Sequence, residues 1–240
     1  AHQQPRRLFL QNMPHIALSE TSSASRWVTD SAAGMTAIVT GHKTHNGVIA
    51  QSDAAVRGSK DGKPLKTILE YAEERGLSTG VVSNSSVLSA TPAACYAHVN
   101  NRKKAAEIFL QLVKPQFGDG VDVVMGAGRE AVRKAAQAAG LDLRVALRKA
   151  GLEWYESLDA IPAAARRAVV LFDGDFDLNA VTQRAILALS RNPKGFFLMV
   201  EADLHTEKLL TGLNRTLELD RVIRSTVSYT HLTLPTNREV

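Results

Sequence analysis

Apolar runs of strand length alternate with helix-like stretches along this chain, and that alternation restricts the fold more than any single motif. "TGVVSN" (79–84), "VDVVMGAG" (121–128), "AVVLF" (168–172) and "GFFLMVE" (195–201) each read as a strand. Around them the spacing predicts helices over 64–76, from about Asn101 to Lys114, over 129–140, near 181–191 and near 207–224. In the first, Leu65, Ile68, Leu69 and Ala72 fall on one face and Gly76 takes the C-cap place. Continuous apolar strands separated by helices belong to a parallel sheet covered on both faces. The expectation is therefore an α/β fold, a mainly parallel central sheet flanked by helices. In such sheets function gathers at the carboxyl ends of the strands.

Composition narrows the classes. At 240 residues the chain suits one large domain or an incomplete larger one, and its 45% hydrophobic and 22% charged content is that of a globular protein. The net charge is +5, but the basic residues are scattered, as in "RRAVV" and "NNRKKAAE". They read as a solvated face, and no nucleic-acid partner is expected. The one cysteine, Cys95, excludes an internal disulfide and a CxxC metal site, and within "AACYAHV" it reads as a buried, inert thiol. No segment approaches the roughly 18 apolar residues of a membrane span. No signal-peptide pattern is read in these residues, and the chain opens "AHQQPRR" without Met, so the expected start lies upstream and the compartment is not readable from this end.

"TDSAAGMTAIVTGHKTHNGV" (29–48) places Asp30 and Ser31 ahead of small, helix-compatible residues and ends in a polar loop with His42, Lys43, His45 and Asn46. Two readings of this acid–serine pair stand. Ser and Asp are preferred helix N-caps, because their side-chain oxygens accept first-turn N–H groups. Alternatively Ser31 is a nucleophile, served by the positive end of the helix dipole and its free N–H donors. No G-x-S-x-G elbow surrounds it, which argues against an α/β-hydrolase serine.

Four stretches, in order, tip that balance by resemblance. Residues 28 onward resemble the nucleophile segment of alkaline phosphatases, and "ATPAACYAHVNNR" (90–102) resembles that family's Thr-Pro-Ala-Ala…Ala-His-Val…Arg segment. "VDVVMGAGRE" resembles its strand and glycine turn, and "NPKGFFLMVEADLH" (192–205) its metal-ligand strand. The resemblance implies phosphomonoester hydrolysis with zinc and magnesium as cofactors. It makes Ser31 the nucleophile, a zinc-bound residue that forms a phosphoseryl intermediate. Asp30 orients the phosphate-binding arginine, and Arg102 is that arginine. A guanidinium fork suits two phosphate oxygens at once. Taken alone, Arg102 reads better as a surface arginine at a helix start; within the matched segment it does not.

Thr91 and Glu201 match two ligands of the family's magnesium site, and a hydroxyl and a carboxylate are suitable hard donors. By itself Glu201 could be a strand-end carboxylate facing water, but it closes an apolar run at the sheet's carboxyl edge. After it the chain departs from the family pattern, being shorter through "VEADLHTEKLLTGLNRTLELD". Counting back from "LELD" puts His205 on the family's zinc histidine, with Asp203 as its partner. On a strand, residues two apart face one side, so Asp203 and His205 could converge with Glu201. Ser89 stands where the family often has Asp or His. His42 and His45 are left unassigned, and His98 is read as structural.

The resemblance further implies an internal fragment, because the family's remaining zinc ligands would lie upstream and beyond about Thr226. Such a fragment is expected to be inactive by itself. Residues 1–226 then form a partial catalytic domain. Residues 227–240, "VSYTHLTLPTNREV", continue no helix and look like translated sequencing adapter of the kind that ends assembled metagenomic reads. For the full-length parent the resemblance implies small phosphomonoester substrates, a homodimer, and a periplasmic or secreted location. Competing readings are a related phosphodiesterase or sulfatase, or a non-catalytic α/β module. "GAGRE" alone is a weak nucleotide motif, since no acidic residue follows about twenty positions on at a strand end.

Overall fold

The computed structural model describes residues 7–233, with side chains described through residue 229. After a 3₁₀ turn at Phe9–Asn12 come α1 (Ser31–Thr40), α2 (Ile68–Glu74), β1 (Ser78–Ser86), α3 (Ala90–Ala93) and α4 (Ala105–Val113). They are followed by β2 (Val123–Ala127), α5 (Arg129–Ala138), α6 (Leu143–Lys149), β3 (Glu153–Trp154), β4 (Ala168–Phe172), α7 (Leu178–Leu189), β5 (Phe196–Glu201) and α8 (Leu209–Thr233). The strands form one sheet in the order β3-β4-β2-β1-β5, and every pairing is parallel.

Burial on both faces follows from the apolar strands. Val81, Val124 and Val169 pack into one core cluster beneath α4, α5 and α6, while their neighbours Val82, Met125 and Val170 pack into the other, with α7 and part of α8. Burying each such side chain is worth about 1.5–3 kcal/mol, so neither face is dispensable. Cys95 is fully buried in the first cluster, and burial pushes its thiol pKa up. Among the described residues no helix is long and apolar enough to cross a membrane.

Several boundaries differ from the sequence expectation. The helix expected over 64–76 begins only at Ile68, because Thr67 accepts the Glu70 N–H while the Glu70 side chain accepts the Thr67 N–H. Leu69 and Ala72 are buried, but Ile68 is 48% exposed and does not share their face. Arg75 is the C-cap, and Gly76 follows it at φ 74°. The helix expected from Asn101 starts at Ala105, and the one expected near 181 starts at Leu178, capped by Asp177. The expectation that 227–240 continue no helix is corrected for 227–233. There α8 runs on to Thr233, since neither Gly nor Pro interrupts before Pro235. Residues 234–240 lie outside those described.

The topology marks one edge. From β1 the chain crosses to β2 and onward to β4, then returns past β1 to β5 on its other side. Strand order thus reverses between β1 and β5, and in open α/β sheets the crevice at the carboxyl ends of such a pair is the usual ligand site.

Candidate active site

Asp30 caps α1. Its Oδ1 accepts the Ala33 N–H at 3.0 Å, so the aspartate satisfies the helix end and leaves Ser31 as the first helical residue. Ser31 is exposed, at the positive end of a helix buried along Ala32, Ala33, Thr36 and Val39. The other oxygen, Oδ2, accepts from Arg102 Nη1 at 3.2 Å, and both side chains are partly buried. One carboxylate thus orders the helix start and aims a guanidinium beside it. Asn46 completes the setting from the polar loop, accepting the Asp30 N–H at 3.3 Å and donating to Val28 O at 3.1 Å.

A cleft of about 730 Å³ opens in front of Ser31. Asp30, Ser31, Thr91, Glu201, Asp203 and His205 all line it; Arg102 is tied to it through Asp30. Thr91 comes from α3, which packs on α1. Glu201 ends β5 and faces Ser83 in register on β1, and the Ser83 hydroxyl donates to Glu201 Oε2 at 2.5 Å. Ser89 caps the start of α3 without a side-chain cap bond, its hydroxyl 3.1 Å from that of Ser85.

The strand argument for Asp203 and His205 is corrected. β5 stops at Glu201, and residues 202–206 are irregular. The chain is drawn off the sheet because the Asp203 N–H donates to Asn84 Oδ1 at 2.5 Å and Asn84 Nδ2 donates to Asp203 O at 3.2 Å. Asp203 Oδ1 accepts from His205 Nδ1 at 2.6 Å, so carboxylate and imidazole pair with each other while His205 is 92% exposed. Burial opposes ionisation of Asp203. Hydrogen bonds from the His205 backbone and ring, with the Arg215 charge, outweigh it and hold the carboxyl below its ordinary range.

The donors present fit the two metals unequally. Thr91 and Glu201 both line the cleft and are hard oxygen donors, the chemistry magnesium takes. Asp203 and His205 are a carboxylate and an imidazole, donor types that zinc takes, but two are fewer than the three protein ligands of a catalytic zinc. Among the described residues no cluster of three or more His, Cys, Asp or Glu could hold a metal.

Ser83, Asn84 and Arg215, whose Nη1 donates to His205 O at 2.9 Å, were not expected from sequence. The polar run "SNSS" closing an apolar strand was the available signal for the first two. Arg215, inside a helix, gave none. His45 lies away from the cleft, its Nε2 2.8 Å from Asp53 O, and His98 is buried.

The family model described as alkaline phosphatase matches residues 2–159. Alkaline phosphatase 4 of Bacillus subtilis is 32% identical over 80% of this chain and 43% of its own length. The human tissue-nonspecific isozyme of alkaline phosphatase is 29% identical over 93% of this chain and 54% of its own length. The chain thus spans about half the length of the curated relatives it matches. Among solved structures, alkaline phosphatase from the Antarctic bacterium TAB5 superposes with a TM-score of 0.82 at 26% identity, covering 96% of this chain and 69% of that one. A TAB5 variant with Mg bound in the M3 site superposes equally well, at 25% identity.

Proposed function

The chain belongs to the alkaline phosphatase family, and we propose that the protein it represents hydrolyses small phosphate monoesters through Ser31. The observation that carries this reading is the shared Asp30 carboxylate, which caps the helix bearing Ser31 and holds Arg102 beside it. Arg102 grips two oxygens of the phosphoryl group through its fork. The N-terminus of α1 adds free N–H groups and the positive dipole end where charge builds up. The Ser31 hydroxyl attacks phosphorus in line and the alcohol leaves, giving a phosphoseryl ester that water then hydrolyses.

Thr91 and Glu201 would hold magnesium, with Ser83 fixing the Glu201 carboxylate. Asp203 and His205 would contribute to zinc only alongside donors from outside the described residues. Bound metal supplies charge neutralisation on phosphate oxygens and eases deprotonation of the hydroxyl. Homodimerisation and a periplasmic or secreted location enter this reading from the family alone.

The test is covalent trapping in the full-length protein. Brief incubation with a ³²P-labelled phosphomonoester at mildly acidic pH, then quenching and peptide mapping, should leave label on Ser31, and Ser31→Ala should abolish most turnover. Label on another residue overturns the assignment.

A further inference from the structure

We propose that Thr36, Ala50 and His98 form a tether that sets Ser31 relative to Arg102, making Thr36 and His98 positioning residues; the proposal rests on the phosphatase reading above. None of the three lines the cleft. Ser31 and Arg102 sit on separate elements, α1 and the stretch that follows α3, and something must hold those elements in register.

Residues 47–50 run between them. The Ala50 N–H donates to Thr36 Oγ1 at 2.9 Å, and Thr36 is fully buried on α1. Ala50 O accepts from His98 Nδ1 at 2.8 Å and from the Leu65 N–H at 2.9 Å. Ile49 and Val99 exchange both backbone hydrogen bonds, at 2.9 and 3.0 Å, and the Arg102 N–H donates to Gly47 O at 2.7 Å. From the helix of the serine to the backbone of the arginine, each contact is thus made.

Two features separate this from ordinary core packing. Ala50 has φ 42°, the one positive value at a non-glycine residue among those described. Such a conformation persists only where surroundings over-determine it, and here both backbone polar groups of Ala50 are held. His98 is also locked. Its Nε2 is 2.8 Å from Glu70 Oε1, and it meets the Phe117 ring edge-on at 5.3 Å between centroids. Glu70 in turn accepts the Thr67 N–H, so the anchor reaches α2.

The experiment uses the full chain with Mg²⁺ and Zn²⁺ held fixed and inorganic phosphate as probe. Thr36→Val keeps shape and removes the acceptor, and Thr36→Ser restores it. Thr182→Val is the control, a fully buried hydroxyl on α7 that donates to Leu178 O at 2.8 Å, its one hydrogen bond among the described residues. Thr36→Val should weaken phosphate binding on the order of tenfold, as small misplacements of a clamp do, and speed amide exchange at 47–50 and 98–102. Thr36→Ser should recover both, and Thr182→Val should lower the thermal midpoint without changing either.

Ala50→Gly keeps every hydrogen bond and relaxes φ, so it should fold at least as stably yet bind phosphate more weakly, a split that a purely structural role does not give. Equal phosphate affinity and exchange in Thr36→Val and Thr182→Val overturn the tether and leave the phosphatase reading intact. A wild-type chain whose phosphate affinity is indifferent to Arg102→Ala overturns the phosphatase reading, and the positioning role with it.

Discussion

Ser83 and Glu201 stand in register on β1 and β5, and the serine hydroxyl donates to Glu201 Oε2 at 2.5 Å. The bond restricts a strand-end carboxylate that would otherwise rotate toward water. Loss of such a supporting partner typically lowers metal affinity about 10- to 100-fold. Ser83→Ala is therefore expected to raise the Mg²⁺ concentration needed to increase the thermal midpoint, since a ligand stabilises only as far as it binds the folded state. An unchanged Mg²⁺ response would remove Ser83 from the metal site.

Asp30 does two jobs with two oxygens, so they can be separated. Asp30→Ser retains a cap for the Ala33 N–H and loses the partner of Arg102, whereas Asp30→Ala loses both. The alanine variant should be less stable than the serine variant by about 1 kcal/mol, the usual worth of an N-cap. Both should weaken phosphate binding alike, because both release the guanidinium. Arg102→Lys should also weaken it, by about 1–3 kcal/mol, as an ammonium has no fork to offer. Chemical denaturation and phosphate titration on the same samples check both halves.

The parts readable from sequence were those whose physics is local. An apolar run is a strand candidate wherever it sits, and all four expected strands formed, 168–172 with its expected bounds and the other three trimmed or extended at their ends. Asp30 and Ser31 are adjacent, so cap and exposed hydroxyl follow from a few neighbouring residues. The two-residue edge strand β3 and the short helix α6 were missed because neither is long enough to show a period. The departure of Asp203 and His205 from the strand was missed for another reason. Asn84 and Arg215 redirect that stretch from distant parts of the chain, and a strand rule applied past the end of a strand cannot see them.

Glu73 carries a pH dependence into the core beside α2. It is buried, and burial pushes its carboxyl up to about 7 against hydrogen bonds from Thr79 Oγ1 at 3.0 Å and the Gly120 N–H at 3.3 Å. A carboxyl raised in the folded state contributes stability in full below its unfolded value near 4.5 and loses it as pH climbs through about 7. Between those limits the protein should lose about 3 kcal/mol of stability. Glu73→Gln, which cannot ionise, should show a flatter profile from pH 5 to 8. A wild-type thermal midpoint that rises over that range would refute the protonated Glu73.

The chain as written should turn over little phosphomonoester, even with both metals supplied. Asp203 and His205 give zinc two donors already engaged with each other, short of the three-ligand arrangement with an open position that catalytic zinc uses. A metal held that way binds weakly and is poorly placed relative to Ser31. The serine then remains an ordinary hydroxyl, a weak nucleophile at any pH near neutral, and the charge developing on the departing oxygen goes unmatched. The half of the site that is assembled makes a different demand. The Asp30–Arg102 pair and the α1 terminus need no metal to attract an oxyanion, so weak phosphate binding should survive chelation while turnover stays low. Elemental analysis for bound zinc, phosphate titration with and without chelator, and a chromogenic phosphomonoester assay at alkaline pH separate the two. Robust, chelator-sensitive turnover would mean that residues outside this ligand count complete the zinc site.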